Sequence, residues 1–350
     1  MMANQEGTQG RRRATLRDVA KLAGVSVQTV SNATRGRYDL MGEETRARVE
    51  AAMSEVGYHP NLTARSLRQA KTNSLGFFVL DEAVSFMADP LTALLVAGMS
   101  DVARDAGYEV LIRAEKPFEV RTSLVRPLLE GRADGAVAVL SGQPEIRAEY
   151  VKMLEDCGAP FVIFDEIIDN PDILSVRTAE RESSRQLAEH LISRGHTKIA
   201  FIAARVPWAL TEQRFYGYQD ALKAASIDPD PTLELFEASW QADGGRLMAE
   251  KLISQQSRPT AIICGSDMLA IGAMNAVKRA GMKVPDDVAV AGFDDFEFSS
   301  YTDPPLTTVR VPGYIMGRTA ATLLVNVLKG EEPEKRAVVL DNELIIRGSA

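Results

Sequence analysis

TLRDVAKLAGVSVQTVSNATRG, residues Thr15 to Gly36, reads as two short helices broken at a glycine. Thr15 can cap a helix whose apolar residues Leu16, Val19, Ala20 and Ala23 follow the i, i+3, i+4, i+7 rhythm of one helical face. Asp18 stands where a capping-box acid belongs. Gly24 ends this helix, Val25 fills the turn, and Ser26 caps a second helix that buries Val30 and Ala33. The pattern predicts a helix-turn-helix, in which the first helix braces the second and the second presents its early side chains to the major groove. Val27, Gln28 and Asn32 are then the expected base contacts. An amide side chain can give adenine two hydrogen bonds, and valine can meet a thymine methyl. Thr15, Ser26, Thr29, Ser31, Arg35, Tyr58 and Asn61 suit phosphates, which position a domain without reading sequence. A plain helical cap on a larger domain would also expose polar residues, so the surroundings must decide between the two.

The charge distribution is the first of those surroundings. Residues 11–71 hold 12 Lys and Arg against 6 Asp and Glu, whereas residues 72–350 hold 28 against 41. Positive charge is thus concentrated at one end of an acidic chain, where a nucleic-acid surface needs it. Residues 1–14 read as a disordered basic arm with no apolar run behind it, so a secretory leader is not expected and the cytoplasm is the expected compartment. Nor does any run of about 18 apolar residues suggest a membrane span. Cys157 and Cys264 lie far apart without neighbouring ligand types, which argues against a disulfide framework or a zinc site, and no cofactor is expected.

A third helix, about residues 43–56, carries Val49, Ala52, Met53 and Val56 on one face and stops at Gly57, completing a minimal bundle over residues 15–59. Residues 60–72 form a linker in which Pro60 breaks the chain and a short helix, capped by Asn61, can run through Arg68. Beyond it the pattern changes. SLGFFVL, YEVLIRA, DGAVAVL and PFVIFDE are nearly continuous apolar runs, as buried parallel strands require. LSVRT, KIAFIA, TLELFEA, TAIICGS and VAVAGFDD form a second series. Helical stretches alternate with them at about 91–106, 120–130, 182–193, 211–224, 244–255, 268–280 and 315–329, and AVVLDNELIIRG reads as a closing strand pair. This alternation predicts two doubly wound α/β lobes, one over about 73–168 and 300–332, the other over about 169–299 and 333–350.

LRDVAKLAGVSVQTVS, TRARVEAAMSEVGYHPN and ARSL together resemble the headpiece of the LacI/GalR family of bacterial transcription regulators. The likeness continues through HLISRGHTKIAFI, RFYGYQDAL, CGSDMLAIGAM, VPDDVAVAGFDD, PPLTTV and ELIIRGS, covering roughly Thr15 to Ser349. It implies an all-α headpiece and hinge helix followed by a two-lobe, type I periplasmic-binding-protein-like effector domain. It also implies a homodimer on a palindromic operator. At the position of the family's minor-groove leucine stands Leu67, whose insertion would kink the duplex at a cost of a few kcal/mol in stacking. The chain ends without the C-terminal leucine heptad through which some relatives tetramerise.

The resemblance further implies a small-molecule effector in the interlobe cleft, held by Asp294 and Arg214, with Asp165, Ser266, Asp267, Trp240 and Phe86 also at cleft positions. Asp267 and Asp295 have a second reading as helix caps or lobe-packing residues. The chain departs from the family at Ala179, Glu180 and Ser183, where relatives often carry Asp-Asn and a glycine, and at Ser266, where Asn is more usual. A sugar is the expected effector and a purine-type co-repressor the alternative. A solute-binding transport protein would share the lobes but not the headpiece. An enzyme is not expected, since no G-x-G-x-x-G after a strand, P-loop or H-E-x-x-H occurs and His59, His190 and His196 lie in unrelated contexts.

Overall fold

A computed structural model describes residues 14–34, 36–58, 71–81, 88–116, 123–168, 170–204, 208–238 and 240–350. The expected basic arm up to residue 13, Arg35, the hinge segment with Asn61 and Leu67, and Phe86 lie outside these residues. The chain divides into two compact units, Met1–Ala70 and Lys71–Ala350.

Three helices build the first unit: α1 (Leu16–Ala23), α2 (Val27–Ala33) and α3 (Glu43–Glu55). The capping box of α1 is complete. Asp18 N–H donates to Thr15 Oγ1 at 3.4 Å, and Thr15 N–H donates to the Asp18 carboxylate at 2.8 Å. Gly24 takes a left-handed φ of 65°, which only glycine adopts without strain. Ser26 Oγ then accepts the Thr29 N–H at 3.0 Å and starts α2. Val19, Ala20, Ala23, Val30, Ala33, Val49 and Ala52 bury as one core, ringed by Leu16, Val25, Met41, Met53, Val56 and Tyr58. Helices this short are marginal alone, so their shared core holds them. A 3₁₀ turn at Tyr38–Leu40, which the pattern did not indicate, leads into α3, with the Arg46 guanidinium 3.9 Å over the Tyr38 ring.

The second unit carries β1 (Ser74–Leu80), β2 (Glu109–Glu115), β3 (Gly135–Leu140), β4 (Phe161–Phe164), β5 (Leu174–Thr178) and β6 (Ile199–Ala204). Then come β7 (Glu234–Ala238), β8 (Ala261–Cys264), β9 (Ala289–Asp294), β10 (Thr307–Arg310), β11 (Ala337–Leu340) and β12 (Glu343–Ile345). Its helices are α4 (Pro90–Asp105), α5 (Arg126–Leu129), α6 (Pro144–Asp156), α7 (Glu180–Ser193), α8 (Ala209–Ala224), α9 (Ala242–Ile253), α10 (Asp267–Arg279) and α11 (Gly313–Leu328). Of the helix expected over 120–130, the described residues hold only the turn α5. Among the described residues no helix is long and apolar enough to cross a membrane.

Two six-stranded sheets result, ordered β11-β5-β4-β3-β1-β2 and β12-β10-β9-β8-β6-β7. All pairings are parallel except β12 against β10. In each sheet the strand order reverses once, beside β1 or β6, giving the switch point at which doubly wound folds open a crevice. Leu75, Phe77 and Val79 pack on one face of the first sheet and Phe78 and Leu80 on the other, which is why β1 is apolar throughout.

The expected lobe boundaries need correction. β5 belongs to the first sheet and β10 to the second, so the chain changes lobe after Thr178, after Arg310 and again after Leu340. The closing strands do not pair with each other: β11 runs parallel to β5, and β12 antiparallel to β10. Short apolar runs state that they are buried but not in which sheet. After the crossing at Arg310, α11 packs on α4 in the first lobe, as α7 packs on α8 and α9 on α10 in the second. Glycines allow these close crossings. A Cβ on Gly98 would be driven into the backbone of Tyr314, and one on Gly317 into that of Leu95.

Candidate functional site

On the headpiece, α2 turns Val27 outward, 42% exposed, with Gln28 beside it. Gln28 Nε2 donates to Asn32 Oδ1 at 3.1 Å across one helical turn. Two of the three expected base readers are therefore coupled, and each keeps a free half of its amide for a base edge. The expected phosphate contacts divide into two kinds. Thr15 and Ser26 spend their hydroxyls on capping, with Ser26 Oγ also 2.9 Å from Thr29 Oγ1. Tyr58 packs its ring against the headpiece core, where burial raises its phenol pKa above the ordinary value.

In the second unit the carboxyl ends of the strands bring charged side chains together. Asp165 follows β4, Glu180 follows β5, Gly265 and Ser266 follow β8, and Asp294 ends β9. Arg214 reaches them from α8. It is 1% exposed, the largest of the fully buried side chains. Its Nε–H donates to Glu180 Oε2 at 2.5 Å and its Nη2–H to Glu180 Oε1 at 3.2 Å. Nη1–H donates to the Gly265 carbonyl at 2.7 Å, and Asp294 Oδ1 stands 3.6 Å from Nη2. The Phe293 ring supports the guanidinium face at 4.4 Å.

Asp165 and Asp294 both take positive φ, 58° and 111°, an uncommon backbone for residues with a Cβ. Strain of this kind is held where the surrounding structure fixes it, often beside a ligand site. Burial, reinforced by the charge of Glu180 and partly offset by Arg214, pushes the Asp165 carboxyl up to about 7. Burial likewise raises the Asp294 pKa well above the carboxylate range, against the pull of Arg214. Three carboxyl groups, of Asp165, Glu180 and Asp294, thus stand around one guanidinium.

Ser266 caps α10, its Oγ accepting the Leu269 N–H at 3.3 Å. Asp267 belongs to the lobe's interior instead. Thr308 Oγ1 donates to its Oδ1 at 2.5 Å, while Ser299 Oγ and Phe296 N–H donate to Oδ2 at 2.5 and 3.1 Å. Fully buried and fully bonded, it joins α10 to β10 and to the 3₁₀ turn Glu297–Tyr301, which fits its lobe-packing reading rather than an effector contact. Asp295 is similar, paired with Arg310 at 2.8 Å and Arg347 at 2.7 Å. Trp240 packs against the core of the second lobe while its indole N–H, buried, has no partner.

Two features escape sequence reasoning. Glu180 is singled out only as a departure from the family, and no spacing links it to Arg214, 34 positions away. Arg147, on α6 of the first lobe, ion-pairs with Glu166 at 2.6 Å and crosses to Glu212 of α8 at 3.2 and 3.3 Å. Only the fold brings these three together.

Comparison with known proteins accords with this architecture. Residues 15–61 match the family described as bacterial regulatory proteins, lacI family, and residues 188–350 the periplasmic binding protein-like domain. The HTH-type transcriptional repressor PurR of Aliivibrio salmonicida (strain LFI1238) is 31% identical over 341 residues, covering 96% of this chain and 98% of that one. The PurR of Vibrio vulnificus (strain CMCP6) is 32% identical over 345 residues, with 95% and 98% covered. Among solved structures, the lac repressor dimer bound to operator and the anti-inducer ONPF superposes with a TM-score of 0.83 at 28% identity, with 97% of this chain and 99% of that one covered. A complex of the transcriptional regulator CelR with cellobiose gives 0.72 at 29% identity, with 97% and 100% covered.

Proposed function

Because the chain belongs to the lacI family of bacterial regulatory proteins and is a DNA-binding transcription repressor of that family, we propose that it binds a palindromic operator as a homodimer under the control of a carbohydrate held between its lobes. The observation that carries the carbohydrate reading is the set of carboxylates around Arg214. Sugar hydroxyls both donate and accept, and carboxyl groups can answer them in either protonation state, as acceptors when ionised and as a donor and an acceptor when protonated. Asp294, Asp165, Arg214 and Ser266 are the contacts we assign, with Trp240 offering a flat face and an indole N–H. Val27, Gln28 and Asn32 read bases, Thr29 and Ser31 with Arg35 and Asn61 approach phosphates, and Leu67 wedges the minor groove. Operator binding by two headpieces supplies the base contacts that one small domain lacks.

A purine effector is the second reading, favoured by the near-full-length likeness to repressors named PurR. The two are separated by thermal unfolding of the full chain with ribose, glucose, cellobiose, hypoxanthine and guanine. A ligand at a hundredfold its Kd stabilises by about 2.7 kcal/mol. Stabilisation by a sugar, abolished in Asp294→Ala while a selected palindromic duplex is still bound, is the expected result. A response confined to the purines transfers the assignment to the second reading.

A further inference from the structure

Glu180 is 4% exposed and is held on several sides. Thr178 Oγ1 donates to its Oε1 at 2.5 Å and Asn342 Nδ2 at 3.3 Å, and Asn342 Nδ2 also reaches Ser183 Oγ at 3.0 Å. The acid therefore sits beside two of the lobe crossings, after β5 and after β11, and is bonded to both. What it does there is take the Nε/Nη2 edge of Arg214. A guanidinium recognises a carboxylate or phosphate through two parallel donors on one edge. Here that edge is filled by the protein's own acid. One of the two Nη1 N–H groups donates to the Gly265 carbonyl, and what remains of Nη2 faces Asp294. An anion entering there would find the Nε/Nη2 edge filled, would have to displace Asp294 to take two donors from the Nη1/Nη2 end, and would meet the Glu180 carboxylate beside it.

We propose that Glu180 determines the class of effector: by occupying the bidentate edge of Arg214 it excludes phosphate- and carboxylate-bearing ligands and restricts the cleft to uncharged or cationic ligands rich in hydrogen-bond donors. The inference rests on the cleft being the effector site. It does not rest on the ligand being a sugar.

The test is anion binding by the full-length protein, with inorganic phosphate as the probe and calorimetry as the readout. Wild type is expected to show no saturable phosphate binding. Glu180→Gln keeps the shape of the side chain but not its charge, and is expected to gain phosphate affinity at least tenfold. Adding Arg214→Gln to it removes the gain. In matched pairs, glucose against glucose 6-phosphate and ribose against ribose 5-phosphate, no phosphate ester should bind wild type more tightly than its parent, and glucosamine separates a cationic from an uncharged preference. Saturable phosphate binding by wild type, or no gain in Glu180→Gln, overturns the proposal. So does a Glu180→Gln protein that circular dichroism shows unfolded, because the acid would then serve stability alone. A protein that ignores every sugar yet gains phosphate binding in Glu180→Gln keeps this inference and loses the carbohydrate reading; the reverse result loses only the inference.

Discussion

Gln28 and Asn32 share a hydrogen bond across a turn of α2, so neither meets DNA as an independent side chain. If each amide reads a base edge, removing one also releases the other from its fixed rotamer. Gln28→Ala and Asn32→Ala are each expected to cost about 1 kcal/mol of discrimination against the wrong base pair, the net worth of one hydrogen bond. The double variant should lose less than the sum, since neighbours in one network do not add. Titrating the operator and its single-base variants against the four proteins checks this, and strict additivity would show that the bond is not carried into the complex. At Asp165 the consequence is a pH dependence. Its carboxyl rises from an ordinary 3.8 to about 7 on folding, through burial and the charges of Glu180 and Glu166, with Arg214 opposing. The folded state thus holds a proton that the unfolded state releases, so this contribution to stability is complete below about pH 4 and declines as pH rises through about 7. Asp267, raised to about 6, slopes in the same direction. Urea unfolding of Asp165→Asn across that range is expected to show a shallower decline than wild type; an unchanged slope would assign the effect elsewhere.

Helices that cross through glycine leave no room for a methyl group. Gly98 of α4 and Gly317 of α11 face each other's backbone, and backbone cannot rotate away as a side chain can. Gly98→Ala is expected to destabilise the second unit by about 1–3 kcal/mol, the usual range for overpacking, and the fall in urea midpoint measures it. In the headpiece, Ser26→Ala deletes the hydroxyl that starts α2 and should cost about 1 kcal/mol, read from thermal melting and from weaker operator binding together. These elements also mark what a linear sequence discloses. The helix-turn-helix is legible because Thr15, Asp18, Gly24 and Ser26 act on backbone within four residues of themselves. The buried strands are legible because both faces of each sheet are covered, so their runs are apolar throughout. The destinations of β5, β10, β11 and β12 are not, since pairing is settled by contacts far along the chain. The site divides along the same line. Acids at strand ends can be found from the strands, whereas Glu180 with Arg214, and Arg147 with Glu166 and Glu212, are products of topology.

An effector can act on the two lobes only if it binds one of their arrangements better than another. The arrangement seen here is tied across the lobes by Arg147 and Glu212, bonded at 3.2 and 3.3 Å, while Glu166 on the first lobe keeps Arg147 at 2.6 Å. Glu212→Gln removes the crossing charge without stranding the arginine, so the severe cost of an unpaired buried cation is avoided and the change falls on the equilibrium between lobe arrangements. The effector-free variant is expected to show a larger radius of gyration by small-angle scattering. Its affinities for effector and operator should both move, because linkage ties each to the same equilibrium. Their relative direction is informative. An inducer and the operator favour opposite arrangements, so one affinity must rise as the other falls. A co-repressor and the operator favour the same arrangement, so both must rise or both must fall. Measuring the two dissociation constants in wild type and Glu212→Gln therefore assigns the sign of regulation without knowledge of any target gene, and a variant in which neither constant moves shows that the Arg147–Glu212 pair does not bias the lobes.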